Sequence, residues 1–119
     1  MRFTLLLFAL GQILKIASIT SKPFKHYIRN TNARVLIKTV DNQCARLFVF
    51  NKGKVSSRAG NHEAFDVALI FKDAATGFAV LSSKKKDASF NAAAEGKLNV
   101  AGMSFFAQWF EDGTKIILS

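Results

Sequence analysis

Residues 92–110 read AAAEGKLNVAGMSFFAQWF. The phrase between Gly96 and Gly102 has the alternation of a short strand, and it runs directly into Phe105, Phe106, Trp109 and Phe110. Upstream, DASFNAAAEG has the pattern of a short helix capped by Asp87 and ended by Gly96. Downstream, Phe105 pairs with Trp109 and Phe106 with Phe110 at i, i+4 spacing, which predicts a helix with two adjacent apolar rows. Helix, strand and helix thus follow one another with glycines at the joints, the pattern of a mixed chain rather than of an all-α or all-β one. The apolar TKIIL that follows must be buried somewhere.

Further toward the N-terminus the period is two. ARVLIKTV, CARLFVF and KVSSR are separated by the turn-forming clusters Asp41-Asn42-Gln43 and Asn51-Lys52-Gly53, which predicts an antiparallel meander. FDVALIF is a fourth strand, with Phe65, Val67, Leu69 and Phe71 expected on one face and Asp66, Ala68 and Ile70 on the other. DAATGFAVLSS returns to helical spacing, with Asp73 as N-cap and Ala74, Phe78 and Leu81 on one side. KLNVA is the fifth strand. Before the meander, Ser21-Lys22-Pro23 reads as a helix stop and restart, and PFKHYIRNTN as a short helix with Phe24, Tyr27 and Ile28 inward. The fold class is α+β, in one domain over residues 1–119, since that length leaves no room for two cores.

The opening, MRFTLLLFALGQILKIAS, supports three readings. Its apolar run behind Arg2 resembles the central part of a signal peptide, but Lys15 breaks it and no clean small-x-small site follows. It falls short of the roughly 20 apolar residues that cross a bilayer. The favoured expectation over residues 1–20 is a retained apolar helix lying on the core or on a membrane surface.

Composition narrows the function. The chain carries 17 basic and 8 acidic residues, a net charge of +9. Residues 1–43 hold seven cations and one anion, so this part is drawn to anionic surfaces. A single cysteine, Cys44, excludes an internal disulfide and reads as a small buried hydrophobe. His26 and His62 lie in different segments without ligand spacing, and His62-Glu63 near Asp66 reads as a solvated turn. No phosphate-cradling glycine loop, nucleophile elbow or metal-binding helix appears, so no catalytic residue, metal or cofactor is expected. Arg46 with Phe48 and Phe50 hints at single-strand nucleic-acid binding, but these residues are needed by the core side of the sheet, and no nucleic-acid partner is expected.

What stands out is the aromatic surface: twelve Phe against one Tyr and one Trp. It forms ordinary core, or helices stand off the sheet around space for a lipid tail. An apolar lining without hydroxyls suits the second reading: about fourteen buried methylenes at roughly 0.8 kcal/mol each give on the order of 10 kcal/mol before ordering costs.

Residues 33–118 resemble the sterol-carrier-protein family of non-specific lipid-binding domains. The resemblance rests on FDVALIF leading to a helix and on AAAEGKLNVAGMSFFAQWF, where Gly96, Lys97, Leu98, Val100 and Gly102 match the family's Gly-Lys-strand-Gly segment. It implies a five-stranded, mostly antiparallel sheet covered by helices, with a hydrophobic tunnel for sterols, acyl chains or phospholipids and no catalysis. Some bacterial members look like accessory factors in isoprenoid-quinone biosynthesis. The opening helix is more apolar than the family's, and the ending Ile-Leu-Ser is not a peroxisomal Ser-Lys-Leu.

The lipid lining expected on this reading is Val67, Leu69, Phe71, Phe78, Leu81, Phe90, Phe105, Phe106 and Trp109. Lys22, Lys25, Arg29, Lys84, Lys85 and Lys86 are expected to face anionic headgroups, the lysine run having a solvated linker as its plainer alternative. The expected setting is cytoplasmic and peripheral to a membrane, with a partner enzyme or a second copy as further contacts. The competing function is a protein-interaction subunit whose aromatic stripe buries against such a partner.

Overall fold

The structure, a computed structural model, describes residues 2–41, 44–61, 64–82 and 88–118. Helices α1 (Arg2–Thr20) and α2 (Lys22–Ile28) precede strands β1 (Asn32–Thr39), β2 (Ala45–Asn51), β3 (Lys54–Ala59) and β4 (Val67–Phe71). Helices α3 (Ala74–Ser82) and α4 (Ala88–Ala94), strand β5 (Leu98–Gly102) and helix α5 (Ser104–Leu118) complete the chain. The five strands form one sheet in the order β3-β2-β1-β4-β5. β4 runs parallel to β1, and the other neighbours are antiparallel. The α+β architecture and the meander β1–β2–β3 are as the sequence implies, and β5 is an edge strand.

Local chemistry sets the helix starts. The Ser21 hydroxyl accepts a hydrogen bond from the Phe24 amide, and Pro23 occupies the first turn of α2, where a missing N–H costs nothing. Asp73 caps α3 by accepting from the Thr76 amide at 2.8 Å, and that bond holds its carboxyl below the usual carboxylate range.

The sheet buries one face under the helices. Register places Phe48, Val35 and Val67 side by side across β2, β1 and β4, with Ile37 beside Leu69 in the next row. All five lie in one apolar core with Phe3, Leu7, Leu14, Phe24, Ile28 and Phe110. α1 packs across β2 and β3, and α5 across β1, β4 and β5. The opposite face carries a smaller cluster of Leu36, Leu47 and Ala68, with Val49, Phe65 and Ile70 against it.

Two expectations are corrected. Phe65 does not share the inward face with Val67 and Leu69; it packs with Ala68 and Ile70 on the other side. The alternation fails because Asp66 is a bend fixed to β1: its amide donates to the Arg34 carbonyl at 2.9 Å, and its carboxylate accepts from the Arg34 amide at 2.7 Å. TKIIL is not a separate ending either. It continues α5 through Gly113, whose lack of a side chain leaves room for the Tyr27 ring, 3.1 Å from where a Cβ would stand.

Candidate functional site

The helix-facing side of the sheet divides into two halves. Over β1 and β2 the packing is tight and aromatic. Trp109 stacks on Tyr27 with centroids 5.6 Å apart and meets Phe50 edge-on at 4.9 Å. Phe110 lies against Phe48 and Phe50. The interstice among Leu14, Phe24, Tyr27, Phe50, Trp109 and Phe110 has no room for a water molecule.

The Tyr27 hydroxyl donates to the Trp109 carbonyl at 2.8 Å, tying α2 to α5. Burial, and secondarily the Asp112 carboxylate, push its pKa from 10.0 up to about 12. A raised pKa means the folded state favours the neutral phenol. That contribution is therefore whole below pH 10 and is lost as pH rises through 12. Tyr27 is the only tyrosine, so tyrosinate absorbance reports it alone. The expected titration midpoint is well above that of the unfolded chain, and Tyr27→Phe costs about 1 kcal/mol at neutral pH. A midpoint equal to that of the denatured chain would show the α2–α5 tie is not kept in solution.

Over β4 and β5 the cover is thinner. Phe71 is fully buried and meets Phe3 edge-on at 5.9 Å. The Phe3 ring seats against Gly77 of α3, where any Cβ would lie 2.5 Å from it, so α1 enters as a wedge between α3 and the sheet. Leu69 is buried, yet its register partner Val100, on the same face of edge strand β5, is 37% exposed. Beside it Met103 is 60% and Phe105 72% exposed, while Phe106, Phe78 and Leu81 are half-buried against the core. The inward side of edge strand β5 thus buries Leu98 but leaves Val100 partly uncovered.

The positions expected from sequence fall into three places. Val67, Leu69 and Phe71 form the floor under α3 and α5, with Phe78, Leu81 and Phe106 at its margin. Phe105 points away from that floor, its ring contacting Phe106 at 5.4 Å. Trp109 sits in the aromatic cluster over β2, joined to the margin through Phe106 at 6.2 Å. The Phe90 side chain and Lys84, Lys85 and Lys86 lie outside the described residues, as do His62 and Glu63. The sequence pattern marks none of Val100, Met103 and Phe3 as a lining residue. The alternation Leu98/Val100 was visible, but which of them the helices cover depends on register against β4.

The outer side of α1 is a second apolar surface. Phe3, Leu7, Leu14 and Ala17 are buried, while Leu5, Phe8, Ile13, Ile16 and Ile19 are exposed along the other flank. The sequence pattern ends the apolar run at Lys15, too short to span; α1 instead continues past it to Thr20, and by length and composition alone residues 3–20 are apolar enough to cross a membrane. Lys22, Lys25 and Arg29 are exposed on α2 and its C-terminal cap. Among the described residues no group of three or more His, Cys, Asp or Glu could hold a metal ion.

No protein-family model and no curated protein matches the sequence. Solved structures do match in shape. A structure titled UbiJ-SCP2 ubiquinone synthesis protein superposes with a TM-score of 0.73 at 16% identity, covering 96% of this chain and 92% of that one. A crystal structure of sterol carrier protein 2 gives 0.66 at 15% identity, covering 92% of each chain. A protein from Thermus thermophilus, described as a candidate sterol carrier protein, gives 0.60 at 14%, covering 92% of this chain and 82% of that one. The fold is that of sterol carrier protein 2.

Proposed function

We propose that this chain, built on the sterol-carrier-protein fold, is a non-catalytic domain that binds the apolar tail of a lipid and exchanges it with a membrane. The observation that carries the reading is Val100: an inward-facing position opposite buried Leu69 that keeps more than a third of its surface exposed. A tail lying between β5, α3 and the start of α5 would cover it together with Phe78, Leu81 and Phe106. Sterol, isoprenoid and acyl chains all fit such a lining, since nothing in it asks for a hydrogen bond. The structural likeness to a ubiquinone synthesis protein supports a place as an accessory factor in isoprenoid-quinone or other lipid metabolism.

The outer flank of α1 supports membrane contact. A helix with one side in the core and Leu5, Phe8, Ile16 and Ile19 outward can lie in the plane of a bilayer surface. Nearby lysines and arginines add up to about 1 kcal/mol each against anionic lipid. The same flank also suits a subunit, like the competing reading from sequence, but one that buries α1 rather than the aromatic stripe of α5 against another protein.

Native mass spectrometry of the purified full chain separates the two. A lipid-sized mass on each protomer is expected; a lipid-free oligomer supports the subunit reading instead. Val100→Asp is expected to weaken binding of a fluorescent fatty acid by about tenfold or more, because a carboxylate beside the tail loses hydration without a partner. Because Val100 is partly exposed, the variant should fold. A wild-type chain that binds no fatty acid, or a variant that binds it equally well, overturns the site.

A further inference from the structure

At the far end of α1 from Phe3, that helix meets α2 and the β2–β3 turn around an open groove of about 410 Å³. Its walls are Ser18, Lys22, Lys25, His26, Arg29 and Lys52, with Gly53 beside them. Four cations and a histidine from two separate chain segments therefore face one concavity. The two ion pairs found among the described residues, Arg34–Asp66 and Lys97–Glu95, both lie elsewhere.

The turn that brings Lys52 to this place is unusual. Asn51 and Lys54 pair, leaving Lys52-Gly53 as a two-residue hairpin loop with both residues at positive φ, +46° and +90°. Such loops favour Asn or Asp in the first position, because a long side chain there carries a conformational cost. Among the described residues Lys52 is the one non-glycine with positive φ. Its amide donates to the Thr31 carbonyl at 3.0 Å, and Gly53 sits where a Cβ would stand 3.8 Å from the Arg29 Cα. The strained lysine is thus clamped against the end of α2.

We propose that this groove binds a phosphate group carrying two or more negative charges, a phosphomonoester or a diphosphate. Arg29 offers a planar fork suited to two phosphate oxygens, the lysines act as point charges, and His26 adds an N–H donor. A bound anion relieves the mutual repulsion of the cations. The groove suits a headgroup rather than a nucleic-acid strand, since its cations surround one hollow instead of tracking along a surface. The phosphate belongs to a lipid headgroup or to a soluble compound. Exposed Ile16 and Ile19 on the same end of α1 offer a resting place for an attached chain. This site does not rest on the tail site. Along α1, Phe3 and Ser18 are about 22 Å apart, so either can fail alone.

The test titrates the ¹⁵N-labelled full chain with inorganic pyrophosphate at constant ionic strength, and in a second arm with phosphatidylcholine vesicles containing phosphatidate. Saturable shifts confined to the amides of 25–29 and 52–53 are expected. The double variant Arg29→Gln/Lys52→Gln should weaken pyrophosphate about a hundredfold, near tenfold per cation, while Lys72→Gln changes nothing. Fatty-acid binding by the double variant should equal that of the parent. Phosphatidate vesicles that displace pyrophosphate assign the phosphate to a lipid headgroup; vesicles that do not displace it assign a soluble phosphate compound. Shifts scattered over the basic surface without saturation, or a double variant within about twofold of the parent, overturn the site.

Discussion

Phe71→Ala is expected to lower the unfolding free energy by about 3–5 kcal/mol, the range for deleting a fully buried phenylalanine ring. Phe71 has no exposed surface, stands edge-on to Phe3, and pairs across the strands with Leu98. Removing the ring unseats Phe3, and with it the end of α1 that Gly77 admits between α3 and the sheet. The midpoint of thermal unfolding should fall by roughly 10–20 °C for a chain of this length. Urea denaturation measures the loss directly. The size of the loss also reports on the floor of the proposed tail site. If the variant loses under about 1.5 kcal/mol, the space beside Phe71 is already open or readily collapses, and the packed floor described above is wrong.

Gly102→Val should cost nearly as much, about 3–4 kcal/mol, by a backbone route. Gly102 has φ +84°, a region that β-branched residues avoid. A Cβ there would also come within 2.5 Å of the Asp66 carbonyl oxygen. That oxygen cannot step aside: it accepts the Met103 amide at 2.8 Å, and the Asp66 amide is held by Arg34. The substitution therefore forces β5 and the start of α5 away from β4 at the place where Val100 and Phe106 flank the proposed tail. Gly102→Ala shares both the conformation and the contact and should fall between the parent and the valine variant. Stability of the alanine variant within about 0.5 kcal/mol of the parent would show that the junction can relax.

The glycine punctuation around β5 was legible because it depends on near neighbours. Gly96 and Gly102 both adopt the positive φ that closes α4 and turns β5 into α5. The caps of α2 and α3 were legible for the same reason, since Ser21 and Asp73 reach amides only three residues away. Phe65 was misplaced because its neighbour Asp66 answers to Arg34, thirty-two positions distant, and not to the strand's own alternation. Phe105 and Phe106 are adjacent phenylalanines in one helix, yet one is exposed and the other half-buried. Adjacent positions on a helix point about 100° apart, and which of the two faces the sheet is set by how α5 docks on it.

From the sequence alone follow the α+β class, the order of helices and strands, the meander, and the apolar character of α1 and α5, because periodicity, caps and turn residues act over a few positions of chain. The assembled fold was needed to set β4 parallel beside β1, to give one flank of α1 to the core and leave the other outside, and to bring Lys52 to α2's cations around one hollow. Those outcomes depend on which distant surfaces meet and in what register. Burial free energy sums over such meetings, and no local stretch of residues encodes them.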